Sequence, residues 1–419
     1  MILLETFASL KQFFASPKSN VDNAIYKLHY RVTVGLLYGC CALVSLSQFI
    51  GQPIHCVANS DTKPYSEKFL NTFCWIQSTF SIESAWNKTI GTEIPYPGVD
   101  KTSPNEKRIF HAYYQWVAFV LFIQALFFNV PHLIWKNKEK GLIRNLAKNL
   151  NTDEYFDREI DRHQAIVDLF EYLNKSSETN HTTMFFWFVA TEIMNFVNVL
   201  SQMILMDKFL SNQFISYGFE ILSKSQEEWS TRIDPMVRLF PRVTKCTFRM
   251  YGESGDLERH DTICILPINI VNEKIYIVLW FWFFFLCFLS SLNLIYRLMI
   301  VILSNLRTYT IKRQCIHDDN LMKFERLHSI VSRMSLGKWF LLSLLIKNID
   351  PINAIEILRL YEKHQLRCLE HEMTTRNGER YLQSKIDALE SVNNENYPFD
   401  RAININHTDR NHYNGKNEK

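Results

Sequence analysis

A chain of 419 residues with 46 basic against 43 acidic side chains and 47% apolar content has the averages of an ordinary soluble protein. Its net charge of +3, with no basic patch interleaved with aromatics, excludes a nucleic-acid footprint. The averages conceal a pattern: 31 Phe, 18 Tyr and 9 Trp stand against only 12 Gly, and the aromatics crowd into a few long uncharged runs, so lipid is expected as part of the solvent.

Residues 1–31 form an N-terminal segment in which Phe7, Leu10, Phe13 and Phe14 alternate with polar residues at helical spacing as far as Ser16-Pro17. That amphipathic pattern suits a membrane surface. A bilayer core about 30 Å thick needs roughly 20 helical residues, and four runs qualify: 32–50, 111–135, 182–206 and 275–303. The first follows a polar or mixed stretch and lacks a small-residue cleavage pattern, so a permanent helix is expected in place of a signal peptide. It contains Gly35 and Gly39, a G-x-x-x-G spacing that lets helices approach closely. The loop 51–110 carries the sequon Asn87-Lys88-Thr89. At the outer end of the second run stand Tyr113, Tyr114, Gln115, Trp116 and Val117. Aromatic rings there favour the headgroup level, and a further role is packing the helix end against the exported loops. Pro131, late in the same run, removes a backbone donor and should bend the helix, either as a static kink or as a gating hinge.

After a loop at 136–181, the third run places Thr191, Glu192, Asn195, Asn198 and Gln202 within an arc of about 120°, interrupted only by Val199. A polar face inside a membrane turns to the bundle interior or to water. Buried hydrogen bonding between helices and a water-lined vestibule are the two readings. The loop 207–274 precedes the fourth run. Glu192 and Arg297 are the charges that interrupt the four runs, and Arg297, near a helix end, is expected to snorkel to the interface. The region 304–392 should be helical: Trp339 to Ile346 is too short to span and reads as a buried helix, and Asp350-Pro351 starts the next one. His364, Cys368 and His371 recur at i, i+4 and i+7, a spacing that can hold a metal but more commonly marks solvated or packed side chains. The polar, Asn-rich stretch 393–419 is expected to be disordered.

Orientation follows the short basic flanks. Lys136, Lys138, Lys140, Arg144 and Lys148 follow the second run, and Arg307, Lys312 and Arg313 follow the fourth, which puts both termini and the middle loop in the cytoplasm. The sequons at Asn174, Asn180 and Asn406 are then cytosolic and silent. Cysteine usage agrees, since Cys56 and Cys74 fall in one exported loop and Cys246 and Cys264 in the other, each pair as C-x17-C. Paired cysteines belong in an oxidising compartment. Four cysteines allow three connectivities. Cys56 and Cys264 both lie near a span and Cys74 and Cys246 both lie farther out, which favours two bridges between the loops over two within them. Zinc sites usually use close C-x2-C pairs, which are missing here.

The run Tyr113-Tyr114-Gln115-Trp116-Val117 resembles the signature pentapeptide of the innexins, the invertebrate gap-junction family. The resemblance extends through Asn71-Thr72-Phe73-Cys74-Trp75-Ile76 and Tyr96-Pro97-Gly98-Val99 in the first exported loop. It continues through Phe240-Pro241-Arg242-Val243-Thr244-Lys245-Cys246 and Leu266-Pro267-Ile268-Asn269-Ile270-Val271-Asn272-Glu273-Lys274-Ile275-Tyr276 in the second, and covers roughly residues 22–360. Two cysteines per loop depart from the three of connexins. The resemblance implies a mainly α integral membrane protein: a four-transmembrane-helix channel subunit with a small disulfide-linked extracellular α+β region and a helical cytoplasmic domain. It also implies bridges between the loops, an N-terminal segment folded into the pore mouth, and homo- or hetero-oligomers with other innexins. Two such half-channels dock across neighbouring plasma membranes to pass ions and small molecules. No cofactor and no metal is implied. The rival classes are a hemichannel that releases solutes without docking and a non-conducting four-pass adhesion protein. An enzyme has no support from G-x-G-x-x-G, P-loop, H-E-x-x-H or G-x-S-x-G motifs, all of which are missing from the sequence.

Overall fold

The computed structural model describes residues 20–57, 66–103, 106–150, 159–175, 178–224, 235–315 and 324–376. The amphipathic stretch with Phe7, Leu10, Phe13 and Phe14, the sequon at Asn406 and the tail 393–419 lie outside the described residues. Four helices are long and apolar enough to cross a membrane: α1 at Ala24–Phe49, then Val117–Glu139, a third ending at Phe209, and Pro267–Ile302. Between and after them the chain forms β1 (His55–Cys56), α2 (Glu67–Gln77), β2 (Thr79–Ile82) and β3 (Arg108–His111). The apolar helix α3 (Val117–Glu139) is followed by α4 (Leu142–Ala147), α5 (Glu159–Lys175) and the second long apolar helix of this half, α6 (Glu178–Phe209). Then come α7 (Phe214–Lys224), α8 (Pro235–Leu239), β4 (Val243–Tyr251), β5 (Leu257–Ile265) and α9 (Pro267–Ile302). The chain continues through α10 (Ser304–Gln314), α11 (Phe324–Arg333), α12 (Leu336–Ile346) and α13 (Pro351–Arg376).

The helices outrun the uncharged windows, and the reason is local. Helix α1 starts at Ala24 because the Asn23 carboxamide oxygen accepts from the Tyr26 amide at 2.6 Å, a side-chain cap. Its first turns carry Lys27, His29 and Arg31, polar enough to end a hydropathy window yet helical, with a π-helical turn at Leu28–Thr33. Helix α9 begins at Pro267, where a missing N–H costs nothing because the first helical amides have no intrahelical partner. At the second run the difference goes the other way. His111 belongs to strand β3 and Tyr113–Gln115 to a 3-10 turn, so the helix starts at Val117.

Strands from both long loops share one antiparallel sheet in the order β1-β5-β4-β2-β3. The β4–β5 hairpin belongs to the second loop and is flanked on both sides by strands of the first. A single hydrophobic core runs from the bundle into this sheet, taking in Leu37, Leu121, Phe283, Tyr114, Cys74 and Cys246. At the other end of the helices, α12 is buried along its whole length from Trp339 to Ile346. It crosses α6 so closely that a Cβ on Gly337 would lie 2.3 Å from the Thr182 amide nitrogen. Tertiary packing divides the chain into two units that meet between Ala354 and Ile355. In the second unit His364 and Cys368 sit one turn apart, 3.7 Å from Nδ1 to Sγ, and the His371 side chain lies outside the described residues.

Candidate functional site

The disulfides are Cys56–Cys264 and Cys74–Cys246, one bond for each pair of loops' inner and outer cysteines. The first joins β1 to β5 at directly opposed residues. The second staples helix α2 onto the face of β4. The sulfurs of Cys56, Cys74 and Cys264 lie within 4.8 Å of one another, but each is consumed in a bridge and offers no thiolate to a metal. The bonds close segments separated by 208 and 172 positions. In chain-entropy terms closures of that length contribute up to about 5 kcal/mol each, an upper bound because the membrane helices already restrict the ends.

Hydrogen bonds and ion pairs extend the staple into the rest of the first loop. The Lys245 ammonium, nearly buried, donates to the Asp100 carbonyl and the Thr102 hydroxyl, both at 2.7 Å. Desolvation pushes the Lys245 pKa down. Asp100 also takes a hydrogen bond from Lys88, which holds its carboxyl below the ordinary range and raises the lysine. Gly98, at φ +76°, has the Trp86 ring 2.6 Å from where a Cβ would sit, so both the backbone and the space demand glycine there. His111 is buried on β3 against the Ser81 hydroxyl at 2.9 Å, and burial lowers its pKa to about 4. Asn87, at the end of a 3-10 turn, is exposed.

The pentapeptide divides between two environments. Tyr114 is wholly buried with its ring 4.8 Å from Trp75 of α2, and Tyr113 meets Phe240 edge-on at 5.7 Å. The Gln115 carboxamide donates to the Trp75 carbonyl in the last turn of α2, and Val117 is buried in the core. Trp116 alone faces outward, 59% exposed. Gln48, near the end of α1, donates to the Tyr114 carbonyl at 2.8 Å. The turn therefore ties α1, α2 and α3 together at the base of the sheet.

The polar face of α6 points into the bundle: Thr191, Glu192, Asn195 and Gln202 are buried and Asn198 is half-buried. Arg297, expected to snorkel, is instead buried and bonds Glu192 bidentately, Nε to Oε2 and Nη2 to Oε1, both at 2.8 Å. Snorkelling loses because a carboxylate in the same apolar layer also needs a counter-charge. The Asn23 and Asn293 carboxamides donate to the same carboxylate at 2.7 and 3.0 Å, and the guanidinium lies 5.0 Å over the Phe188 ring. The sequence contained the signal for this pair, two opposite charges alone in four apolar runs. The partnership of Asn23 was hidden, because that residue precedes the hydropathy window.

Pro131 lies inside α3, where its carbonyl accepts from the Tyr26 hydroxyl at 3.0 Å. The neighbouring His132 stacks on Tyr30 with centroids 3.7 Å apart. Gly39 faces open space, with nothing within 4 Å of a Cβ, so that glycine of the G-x-x-x-G spacing makes no close helix contact within the described part of this chain.

Comparison with known proteins places this arrangement. Residues 22–364 match the family model for innexins. The chain is 39% identical to Innexin shaking-B of Drosophila melanogaster over 352 residues, covering 84% of this chain and 92% of that protein. It is also 39% identical to Innexin inx2 of Drosophila melanogaster over 359 residues, covering 85% and 94%. Innexin inx2 of Schistocerca americana is again 39% identical, over 361 residues covering 85% and 96%. With four apolar helices, a doubly bridged strand region and a family match across most of its length, the chain belongs to the innexin family.

Proposed function

We propose that this chain is a gap-junction channel subunit that rings a central pore with copies of itself or with other innexins, and that two such half-channels dock across neighbouring plasma membranes. The observation that carries the reading is the single sheet built from both loops and locked by two disulfides. A pore subunit has no need of such rigidity outside the membrane. A face that must meet its counterpart in register does. In this reading both termini and the 136–181 segment are cytoplasmic, the sheet is extracellular, and the disulfides sit on the oxidising side. The test is junctional conductance between paired cells that express the chain, alone or with a sister subunit; no current in either arrangement sinks the channel reading.

Exposed Asn87 supports a second state of the same protein. A glycan there is bulky and sits on the stapled extracellular region, where it hinders close apposition. Glycosylated protein then acts as a single-membrane hemichannel. Removal of the sequon by Asn87→Gln raises junctional conductance relative to hemichannel current, and an unchanged ratio together with unchanged gel mobility removes this state.

A further inference from the structure

Most of the sheet is covered on at least one flank, but among the described residues the far part of the β4–β5 hairpin has no flanking strand. Among the described residues strand β2 reaches β4 at Phe80 opposite Lys245, and the β1 edge reaches β5 at His55 and Cys56 and on through Val57, whose amide donates to the Ile263 carbonyl and whose carbonyl accepts from the Thr262 hydroxyl. From Thr247 opposite Asp261 outward, the two strands pair, among the described residues, only with each other as far as Tyr251 opposite Leu257. One face of this ribbon is supported, since Phe248 packs edge-on against Phe69 and Phe73 of α2 at 5.5 and 5.0 Å. Residues of the opposite face alternate with Phe248 and turn away from α2. That bare face carries Tyr251 and Leu257, 75% and 60% exposed and directly opposed.

Charge along the bare face is ordered. Arg249 stands opposite Arg259, two residues below the apolar pair. Arg259 is held by Asp261 at 3.2 Å, whereas Arg249 has no ion-pair partner among the described residues. Above the apolar pair, the turn carries exposed Glu253 and Asp256, which also lack ion-pair partners among the described residues. The sequence of features is acidic, apolar, basic. Laid antiparallel on itself about the apolar pair, such a pattern matches at every level: apolar on apolar, and each acidic turn against the other ribbon's Arg249. Self-complementarity of this kind is what a two-fold, isologous contact requires.

We infer that the bare face of the β4–β5 ribbon docks onto the same face of a second copy of this chain, with Arg249 of each meeting Glu253 and Asp256 of the other. The inference rests on the junctional reading above and names the pairing that sets its specificity. Like-charge juxtaposition discriminates against wrong partners, so the pattern also selects which half-channels join.

Paired cells provide the test, with one variant carrying Arg249→Glu and a second carrying Glu253→Lys and Asp256→Lys. Arg259–Asp261 and both disulfides are untouched. Each variant paired with itself opposes like charges and loses at least tenfold in junctional conductance, while hemichannel current in single cells stays at the wild-type level. One variant paired with the other restores opposite charges at both contacts and recovers conductance. Recovery shows that both variants fold and reach the surface. Normal coupling of either variant with itself, or failure of the mixed pair to recover, overturns this pairing while wild-type coupling leaves the junctional reading standing. Wild-type pairs that never couple overturn both.

Discussion

The Glu192–Arg297 pair is the most demanding single interaction in the bundle. Both side chains are nearly out of reach of solvent, and four donors converge on one carboxylate. Such a pair stabilises little relative to a well-packed apolar replacement, because both ions surrendered their hydration, but breaking it leaves a buried charge unmatched. Arg297→Met should therefore cost on the order of 3–5 kcal/mol, whereas the double change Glu192→Gln with Arg297→Met should cost much less. Thermal unfolding of detergent-solubilised protein measures both. Equal losses in single and double variants would mean that the pair acts only through packing. Because Asn23 both caps α1 and donates to Glu192, the same measurement made on Asn23→Ala should show a loss of about 1–2 kcal/mol from the missing cap and hydrogen bond.

Elements respond to these residues in two places. In the sheet and the β2–β3 loop, three groups are tuned for neutral pH: His111 is buried neutral with a pKa lowered to about 4, and Asp100 and Asp261 are held ionised below their usual range by Lys88, Thr247 and Arg259. A histidine with a lowered folded pKa binds fewer protons than its unfolded counterpart between about 4 and its ordinary value near 6.5. Depressed carboxylates act in the same sense at lower pH. Stability of the sheet is thus fully present near pH 7.5 and lost as pH falls through 6 toward 4. Protection factors of the amides in β2, β3 and β4, taken relative to the intrinsic exchange rate at each pH, should fall on acidification from pH 7.5 to 5, and His111→Gln should flatten the upper part of that dependence. Unchanged protection in these strands at pH 5 would contradict the assignment. In α3, the Tyr26 hydroxyl bond to the Pro131 carbonyl and the stack of His132 on Tyr30 tie the helix to α1 just past the proline. Ties of this kind favour the static kink over the hinge, so Pro131→Ala should leave voltage and pH responses in place; a shifted gating curve would restore the hinge.

These two elements also show what the sequence could and could not tell. Apolar runs without charge mark the four helices, because lipid demands about twenty such residues whatever their partners. Cysteine distances from those runs favoured the disulfide pairing that the structure shows. The sheet was less legible. β2 and β3 have only four residues each, and β1 has two. β1 and β2 become strands beside the β4–β5 hairpin, more than a hundred positions away in the chain, and β3 pairs in turn with β2. Helix starts failed for a related reason, since capping by Asn23 and Pro267 is a local backbone event that hydropathy does not weigh.

At the scale of the whole molecule, the question is what each outward helix face meets in an assembled ring. Helix α1 is the least covered of the four, with 22% of its most apolar window buried against 33% to 39% for the others. Its free side mixes small or hydroxylic residues, exposed Gly39 and Ala42 beside half-buried Ser45 and Ser47, with exposed Leu43 and Leu46. The free side of α9 carries Phe281, Phe285, Phe288, Leu292 and Ile295, and that of α3 carries Phe119, Phe122 and Phe127. Large apolar side chains suit acyl chains, whereas small residues suit close protein approach or a watery lumen. The ring should therefore turn α3 and α9 to lipid and α1 inward. In a background with Cys40, Cys41 and Cys287 replaced by Ser, Ala42→Cys should react with a membrane-impermeant thiol reagent and lose current, and Phe285→Cys should be unaffected. A silent Ala42→Cys alongside a reactive Phe285→Cys would reverse the ring, placing the aromatic faces at the pore and α1 in the bilayer.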